Sequence, residues 1–129
     1  MSLKVEQQTK RVLVVDDVSD NLLLAQFFLE TKGYKVSTAE SGKAALADVA
    51  TKIVNPDIII LDLMMPEMNG YEVIDSLRHR HNLPNIPILL MTANKNVSYE
   101  DAIGAGANNL IYKPLDLAQF LTKIRSLAL

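Results

Sequence analysis

The chain has 129 residues, of which 49% are hydrophobic and 22% are charged, and this length is typical of one domain of roughly 100 to 200 residues. Its formal net charge of −2 gives no general attraction to nucleic acid or to an anionic membrane, so we expect neither as a direct partner. The absence of cysteine excludes disulfides and thiolate metal sites and suits a cytoplasmic location.

Strand and helix signals alternate along the chain. Residues 1–10 are mostly polar, and we expect them to be disordered or left over from cloning, so the domain is predicted to span 11–129. Apolar runs predict strands at Arg11–Val15, 34–39, 57–61, 86–91 and 110–112. Helical spacing of apolar residues predicts helices at 22–32, 42–53, 71–81, 98–106 and 117–127.

Short polar residues mark the expected helix starts. The candidate N-caps are Ser19, Asp20 and Asn21 for the first helix, Ser41 for the second, Ser98 with Asp101 for the fourth, and Asp116 for the last. Gly104 and Gly106 lie inside the predicted fourth helix, and each costs about 1 kcal/mol relative to alanine. We therefore expect that helix to be short and loose.

Five repeats of strand and helix predict an α/β domain, with a doubly wound parallel sheet and right-handed crossovers. In open sheets of this type the site lies beyond the carboxyl ends of the strands. The residues at those ends are Asp16, Asp17, Asp62, Thr92 and Lys113. Asp62 follows four branched aliphatic residues, and Pro66 and Gly70 turn the chain away, so we expect its carboxylate in a surface loop at the rim.

The predicted cluster favours phosphoryl chemistry with a hard cation. Crowded carboxylates repel by up to about 4 kcal/mol per pair at 4 Å, so they need a counterion. We expect relief of this repulsion to stabilise an Asp16→Asn variant in the absence of a cation. An oxygen-only set suits Mg²⁺, and the turn after the first strand has no glycine-rich phosphate cradle. Lys113 and Thr92 would neutralise the oxygens of a phosphoryl group moving onto a carboxylate.

Ordinary structural roles are the alternative for each residue taken singly. Any one acid is more often a helix or turn cap, Thr92 a strand-end hydroxyl, and Lys113 a solvated charge; coincidence explains the five together poorly. The run from Arg78 to His81 is more typical of a solvated helix end than of a metal or anion site. The methionines at 64, 65 and 68 are more typical of loop filling than of ligands.

Four motifs carry a family resemblance: Asp16-Asp17, Asp62-x-x-Met65-Pro66-x-Met68-x-Gly70, Thr92-Ala93 and Lys113-Pro114. They resemble the receiver domain of two-component response regulators, the CheY-like superfamily, over about 11–129. The resemblance implies a flavodoxin-like sheet in the order 2-1-3-4-5. It also implies a Mg²⁺-dependent phospho-acceptor module of a phosphorelay that is no enzyme beyond its own phosphorylation and dephosphorylation. Its partner would be a histidine kinase or phosphotransfer protein, with an effector domain in the same or another chain; dimerisation is left open.

The resemblance also assigns roles to the site residues. Asp62 would accept the phosphoryl group, while Thr92 and Lys113 would contact its oxygens. Asp17 and Asp62 would bind Mg²⁺ directly, Asp16 through water, and Met64 through its backbone carbonyl. The Lys113-Pro114 peptide bond is expected to be cis, a form that is available at low cost only before proline.

One position departs from the family pattern. The family usually has tyrosine or phenylalanine three residues before the lysine, and here that position is Leu110. Tyr112 is not equivalent, because its ring starts from another place on the strand. The usual aromatic route of signalling is therefore in question, and phosphoryl acceptance is not.

Two other functions are kept as alternatives. An aspartate-nucleophile phosphohydrolase would place a second aspartate two residues after the nucleophile, where this chain has Met64. A docking module of the same fold that never meets a kinase is the other alternative.

Overall fold

A computed structural model describes residues 9–127. Residues 1–8, where most of the predicted disordered N-terminal segment falls, lie outside the described part. The strands are β1 Arg11–Val15, β2 Lys35–Ala39, β3 Ile58–Asp62, β4 Ile88–Thr92 and β5 Asn109–Tyr112. The helices are α1 Ser19–Thr31, α2 Gly42–Ala50, α3 Gly70–His79, α4 Tyr99–Ala105 and α5 Leu117–Leu127.

The five strands form one parallel sheet in the order β2-β1-β3-β4-β5. This order confirms the predicted α/β class and the doubly wound arrangement. Because all strands run the same way, their carboxyl ends lie along one edge of the sheet. β1 and β3 are adjacent, so the acids that follow them are brought together although they are far apart in sequence.

Alternate residues of the strands pack into two separate cores. In β1, Leu13 and Val15 contact the helices α2, α3 and α4, whereas Val12 and Val14 contact α1 and α5. The central strands β3 and β4 are buried along their whole length. Burial on both faces explains why their sequences are continuous apolar runs without the alternation of a half-exposed strand.

Several predicted helix ends differ from the structure. The N-cap of α1 is Val18, without a side-chain cap, so the cap roles predicted for Ser19, Asp20 and Asn21 are wrong. The carboxylate of Asp16 binds just before the helix, where its Oδ1 accepts a hydrogen bond from the N–H of the N-cap residue Val18 at 2.9 Å.

The second and third helices also have different ends. The sequence predicts a helix over 42–53, but α2 ends at Ala50, because Lys52 adopts a positive φ of 59°. Ile53 therefore lies beyond the helix and is 78% exposed. α3 starts at Gly70 behind a capping box formed by Asn69 and Glu72. The sequence reasoning did not identify this box.

The fourth and fifth helices have the predicted caps. Ser98 and Asp101 form the capping box of α4, and Asp116 accepts a hydrogen bond from the Gln119 N–H at 3.1 Å. The helix α4 has only seven residues, and Ala102 is its buried position, so the prediction of a short helix is confirmed. Gly106 ends it in the left-handed region at φ 107°, which suits glycine.

Arg78 joins the end of α3 to two loops, 80–87 and 106–108, at the opposite edge of the sheet. Its guanidinium donates hydrogen bonds to the carbonyls of Gly106, Leu83 and Ile86 and to the Asn108 side chain, over 2.7 to 3.1 Å. Burial lowers the pKa of this group. The expected solvated helix end is therefore wrong for Arg78, because the chain carbonyls around it replace the water that a surface arginine would bind.

Candidate functional site

Three carboxylates meet where β1 and β3 end. One oxygen from each of Asp16, Asp17 and Asp62 lies within 4.8 Å of the others. Asp17 is exposed, whereas Asp16 and Asp62 are buried. Asp62 is the last residue of β3 and only 4% exposed, so the expectation that it lies in a surface loop is wrong. We call the space between the three carboxylates the recess, and Asp17 is the acid on its solvent-exposed side.

Lys113 closes the recess from β5. Its Nζ lies 2.9 Å from Asp16 Oδ2 and 3.3 Å from Asp62 Oδ2. The lysine follows β5 at the edge of the sheet, and its backbone N–H donates to the Thr92 carbonyl at 2.8 Å. The strand order therefore delivers the cation to the acids across β4, and the Lys113-Pro114 peptide bond is cis, as the resemblance implies.

Burial and the neighbouring charges shift the pKa values of this pair. Burial is the main reason that the pKa of Asp62 is raised; the Lys113 charge opposes this effect and the Asp16 charge adds to it. Burial alone would lower the pKa of Lys113, but the hydrogen bonds and charges of Asp16 and Asp62 raise it overall. The raised lysine pKa favours an ion pair and the raised Asp62 pKa opposes one. The shorter distance identifies Asp16 as the main partner of Lys113.

Thr92 is fully buried at the end of β4, the strand next to the one that ends at Asp62. Its Oγ1 accepts a hydrogen bond from the Asn94 N–H at 3.0 Å, which ties the hydroxyl to the loop that leads into α4. A hydroxyl that accepts one hydrogen bond can still donate its own proton to an oxygen above it. The threonine therefore links the site to the start of that loop.

Leu110 occupies the position at which the family usually has an aromatic residue, and its side chain is part of the apolar core. Leu110 is buried against the helices α3 and α4. Tyr112 packs on the same face of the sheet, and its hydroxyl donates to the Val97 carbonyl at 2.7 Å. The Lys95 ammonium lies 4.7 Å from the centre of the Tyr112 ring and 3.2 Å from the Lys113 carbonyl. The loop between β4 and α4 is thus fastened to the end of β5.

The turn after β3 brings the backbone close to Asp62. Gly70 approaches so tightly that an added Cβ would lie 2.8 Å from the Asp62 carbonyl oxygen and 2.9 Å from Leu63 Cα. Met64 is 61% exposed, so the prediction that it fills the loop interior is wrong. Met65 is buried and Met68 packs against the core, as predicted. The Met64 backbone lies near the Asp62 carboxylate and acts to lower its pKa, against the larger effect of burial.

Asn21 is the site residue that the sequence reasoning missed. Its Nδ2 donates to Asp16 Oδ2 at 3.2 Å from the first turn of α1. The sequence predicts Asn21 as a cap of that helix, and this assignment does not include a contact with Asp16, five positions earlier. The only signal in the sequence is that spacing, which places the third residue of a helix over the end of the preceding strand.

Comparison with known proteins assigns the family. The family described as response regulator receiver domain matches residues 12–125, and the chain belongs to this family. It is 38% identical to response regulator PleD of Caulobacter vibrioides over 118 residues, which are 91% of this chain and 26% of that protein. It is 34% identical to response regulator SaeR of Staphylococcus aureus over 117 residues, 90% of this chain and 49% of that protein.

Solved structures show the same fold. The chemotaxis protein CheY4 of Vibrio cholerae superimposes with a TM-score of 0.83 at 29% identity, over 93% of this chain and 99% of that one. A CheY-like receiver domain protein of Methanospirillum hungatei gives a TM-score of 0.81 at 27% identity, over 92% of this chain and 93% of that one.

The chain spans about a quarter of PleD and about half of SaeR. It therefore corresponds to the receiver part of such relatives. Within residues 9–127, no helix is long and apolar enough to cross a membrane.

Proposed function

We propose that this receiver domain, spanning 11–129, accepts a phosphoryl group on Asp62 from a histidine kinase or phosphotransfer protein. The observation that carries the proposal is the grouping of the three acid oxygens within 4.8 Å, with the Lys113 ammonium 3.3 Å from Asp62. One acid is a strand-end nucleophile, two neighbours can share a cation, and a fixed positive charge faces the acceptor oxygen. This arrangement suits phosphoryl transfer, in which positioning and charge neutralisation supply most of the catalysis.

The donor set fits Mg²⁺. All three side chains offer oxygen, the ligand that this ion prefers, and the exposed side at Asp17 leaves room for the waters that it retains. Asp17 and Asp62 would bind the ion directly, Asp16 through water, and Met64 through its backbone carbonyl. Bound there, Mg²⁺ would supply neutralisation of the acids and of the phosphoryl oxygens.

The remaining steps fall to this chain's own groups. An oxygen of Asp62 forms the new bond to phosphorus while the bond from phosphorus to the donor imidazole breaks, and the imidazole leaves with the electron pair and takes up a proton. Lys113 holds one phosphoryl oxygen by charge, and the buried Thr92 hydroxyl donates to another. Catalysis is thus limited to phosphorylation and dephosphorylation of the domain itself.

Phosphorylation changes the surface of the domain, and a partner or effector domain in the cytoplasm binds the changed surface. The route that we propose starts at Thr92, because its hydroxyl is tied to the loop that leads into α4. The short helix α4 has one buried residue, the fewest of the five helices described, so little packing opposes its rearrangement. Amide shifts on addition of beryllofluoride, measured by NMR, should therefore concentrate in 92–106; shifts limited to the surroundings of Asp62 would contradict this route.

Incubation with acetyl phosphate tests phosphoryl acceptance. The parent should gain the mass of one phosphoryl group in Mg²⁺, and Asp62→Asn should gain none, because it lacks the nucleophile. Asp75→Asn is the matched control, since it removes an exposed acid elsewhere and should behave like the parent. Modification that survives in Asp62→Asn, or that proceeds equally in chelator, would contradict the proposal. Transfer of a phosphoryl group from a histidine kinase to this domain would distinguish the proposed function from that of a docking module that is never phosphorylated.

A further inference from the structure

Asn21 makes a contact that the proposed function does not use. It lies in the first turn of α1, and its side-chain amide reaches down to the buried Asp16. Resting on the proposed function, we propose that Asn21 is a positioning residue for the cation site, which fixes the Asp16 carboxylate while Lys113 serves the phosphoryl group.

The hydrogen bonds of Asp16 show how this works. Its Oδ1 accepts from the Val18 N–H at 2.9 Å, and its Oδ2 accepts from both Lys113 Nζ at 2.9 Å and Asn21 Nδ2 at 3.2 Å. The carboxylate is fully buried, so its orientation depends on these donors. Two of them come from the turn and the helix that follow β1, and one comes from β5.

Lys113 is shared between Asp16 and Asp62 already before phosphorylation, so the Asn21 amide helps to fix Asp16 in the free protein as well as during the reaction. The Lys113 Nζ already lies 3.3 Å from the Asp62 oxygen, which is where the phosphoryl group is attached. When the ammonium turns towards phosphoryl oxygens, Asp16 Oδ2 loses its charged partner, and the Asn21 amide remains on that oxygen. A buried carboxylate that loses its donors would otherwise reorient, because leaving it unpaired is costly.

The amide is suited to this task because it is neutral. It can fix the carboxylate without adding a positive charge that would repel the cation. Partners behind a metal ligand commonly change affinity by 10- to 100-fold when they are removed. Since Asp16 acts through water and the amide contact is long, we expect about tenfold, at the lower end of that range.

A Mg²⁺ titration of the unphosphorylated full chain tests the role of Asn21. In Asn21→Leu, which keeps the branched shape and lacks the N–H donor, the Mg²⁺ dissociation constant should rise about tenfold, measured by calorimetry or NMR. Leu24→Ala is the matched control, because Leu24 lies one turn further along α1 in the same groove beside Asp16. This control should bind Mg²⁺ as the parent does.

The kinetics should separate positioning from general damage to the fold. With acetyl phosphate, the Mg²⁺ concentration for half-maximal phosphorylation should rise about tenfold in Asn21→Leu, and the rate at saturating Mg²⁺ should stay within about twofold. The carboxyl ¹³C signal of Asp16 should move in Asn21→Leu and stay in place in Leu24→Ala. An unchanged or lower Mg²⁺ dissociation constant in Asn21→Leu, whatever its melting temperature, would overturn the inference.

Failure of the inference is distinct from failure of the proposed function. A parent protein that binds Mg²⁺ and is phosphorylated, together with an Asn21→Leu variant that titrates like it, rejects only the positioning role. A parent that takes no phosphoryl group at any Mg²⁺ concentration rejects the proposed function, and the positioning role with it.

Discussion

Replacing Asp62 with asparagine should make the protein more stable when no divalent cation is present, although it removes the nucleophile. At an effective dielectric of 20, the attraction of Asp62 to Lys113 at 3.3 Å is about 5 kcal/mol. The repulsion from Asp16, at 4.8 Å or less, is about 3.5 kcal/mol or more. The exposed Asp17, screened by water, adds about 1 kcal/mol. These charge effects nearly cancel.

The cost of desolvating the carboxylate therefore determines whether Asp62→Asn stabilises or destabilises the protein. The Asp62 carboxylate is only 4% exposed, and burial of an ion costs several kcal/mol in real proteins. The amide has the same shape and no charge to desolvate, and Lys113 keeps its closer partner Asp16. We expect a gain of about 1 to 2 kcal/mol in the free energy of unfolding at pH 7, or about 3 to 8 °C in the melting temperature.

The gain should depend on pH. Folding raises the pKa of Asp62, so its stabilising contribution is full below the unfolded value of about 3.9 and is lost as the pH rises through the folded value. Asp62→Asn removes this loss, so its advantage should be small near pH 4 and grow towards pH 7. Thermal melts in chelator at both pH values measure it, and Asp75→Asn, which removes an exposed charge, is the control. A variant that melts below the parent at pH 7 would refute the reasoning.

Two further changes test the structure around the site. Tyr112→Phe should lower stability by about 1 kcal/mol, because the Val97 carbonyl loses its hydroxyl donor; Tyr99→Phe on the exposed side of α4 should leave the melt unchanged. Gly70→Ala should cost about 1 to 3 kcal/mol, since the added Cβ meets backbone atoms that cannot move aside. Gly104→Ala in α4, where an added Cβ meets nothing within 4 Å, should stabilise slightly in the same melts.

The strands and the cluster of strand-end residues could be predicted because their signals are local. A continuous apolar run indicates a strand buried on both faces, and the polar residue that follows it lies at the edge of the sheet. This signal indicates Asp16, Asp62, Thr92 and Lys113. The structure brings the side chains of the two acids and the lysine together, and the Thr92 carbonyl accepts a hydrogen bond from the Lys113 N–H. Parallel strands place these ends side by side whatever the sequence between them.

Two residues have roles that differ from those that the sequence predicts. The sequence predicts Asn21 as a helix cap, whereas its side chain hydrogen-bonds Asp16, the acid that follows β1. Arg78 was taken for a solvated charge, although carbonyls up to 28 residues away surround it. No periodicity marks either role. Only the five-residue spacing from Asp16 indicates the contact of Asn21, and the contacts of Arg78 depend on where other loops lie. The predicted stabilisation by Asp16→Asn also leaves such contacts out of account. Three donors hydrogen-bond the Asp16 carboxylate, so Asp62 is the better position at which to test the effect of charge removal.

The Arg78 contacts also determine how α4 can move. The guanidinium grips the carbonyl of Gly106 with two of its nitrogen atoms and thereby anchors the end of the helix that is remote from the site. At the near end, the loop that leads into the helix is held to the end of β5 by side chains, with the Tyr112 hydroxyl on the Val97 carbonyl and the Lys95 ammonium on the Lys113 carbonyl. If the loop after Thr92 is displaced, we expect α4 to turn about its anchored end at Gly106, so the exposed Tyr99 at the opposite end would move furthest.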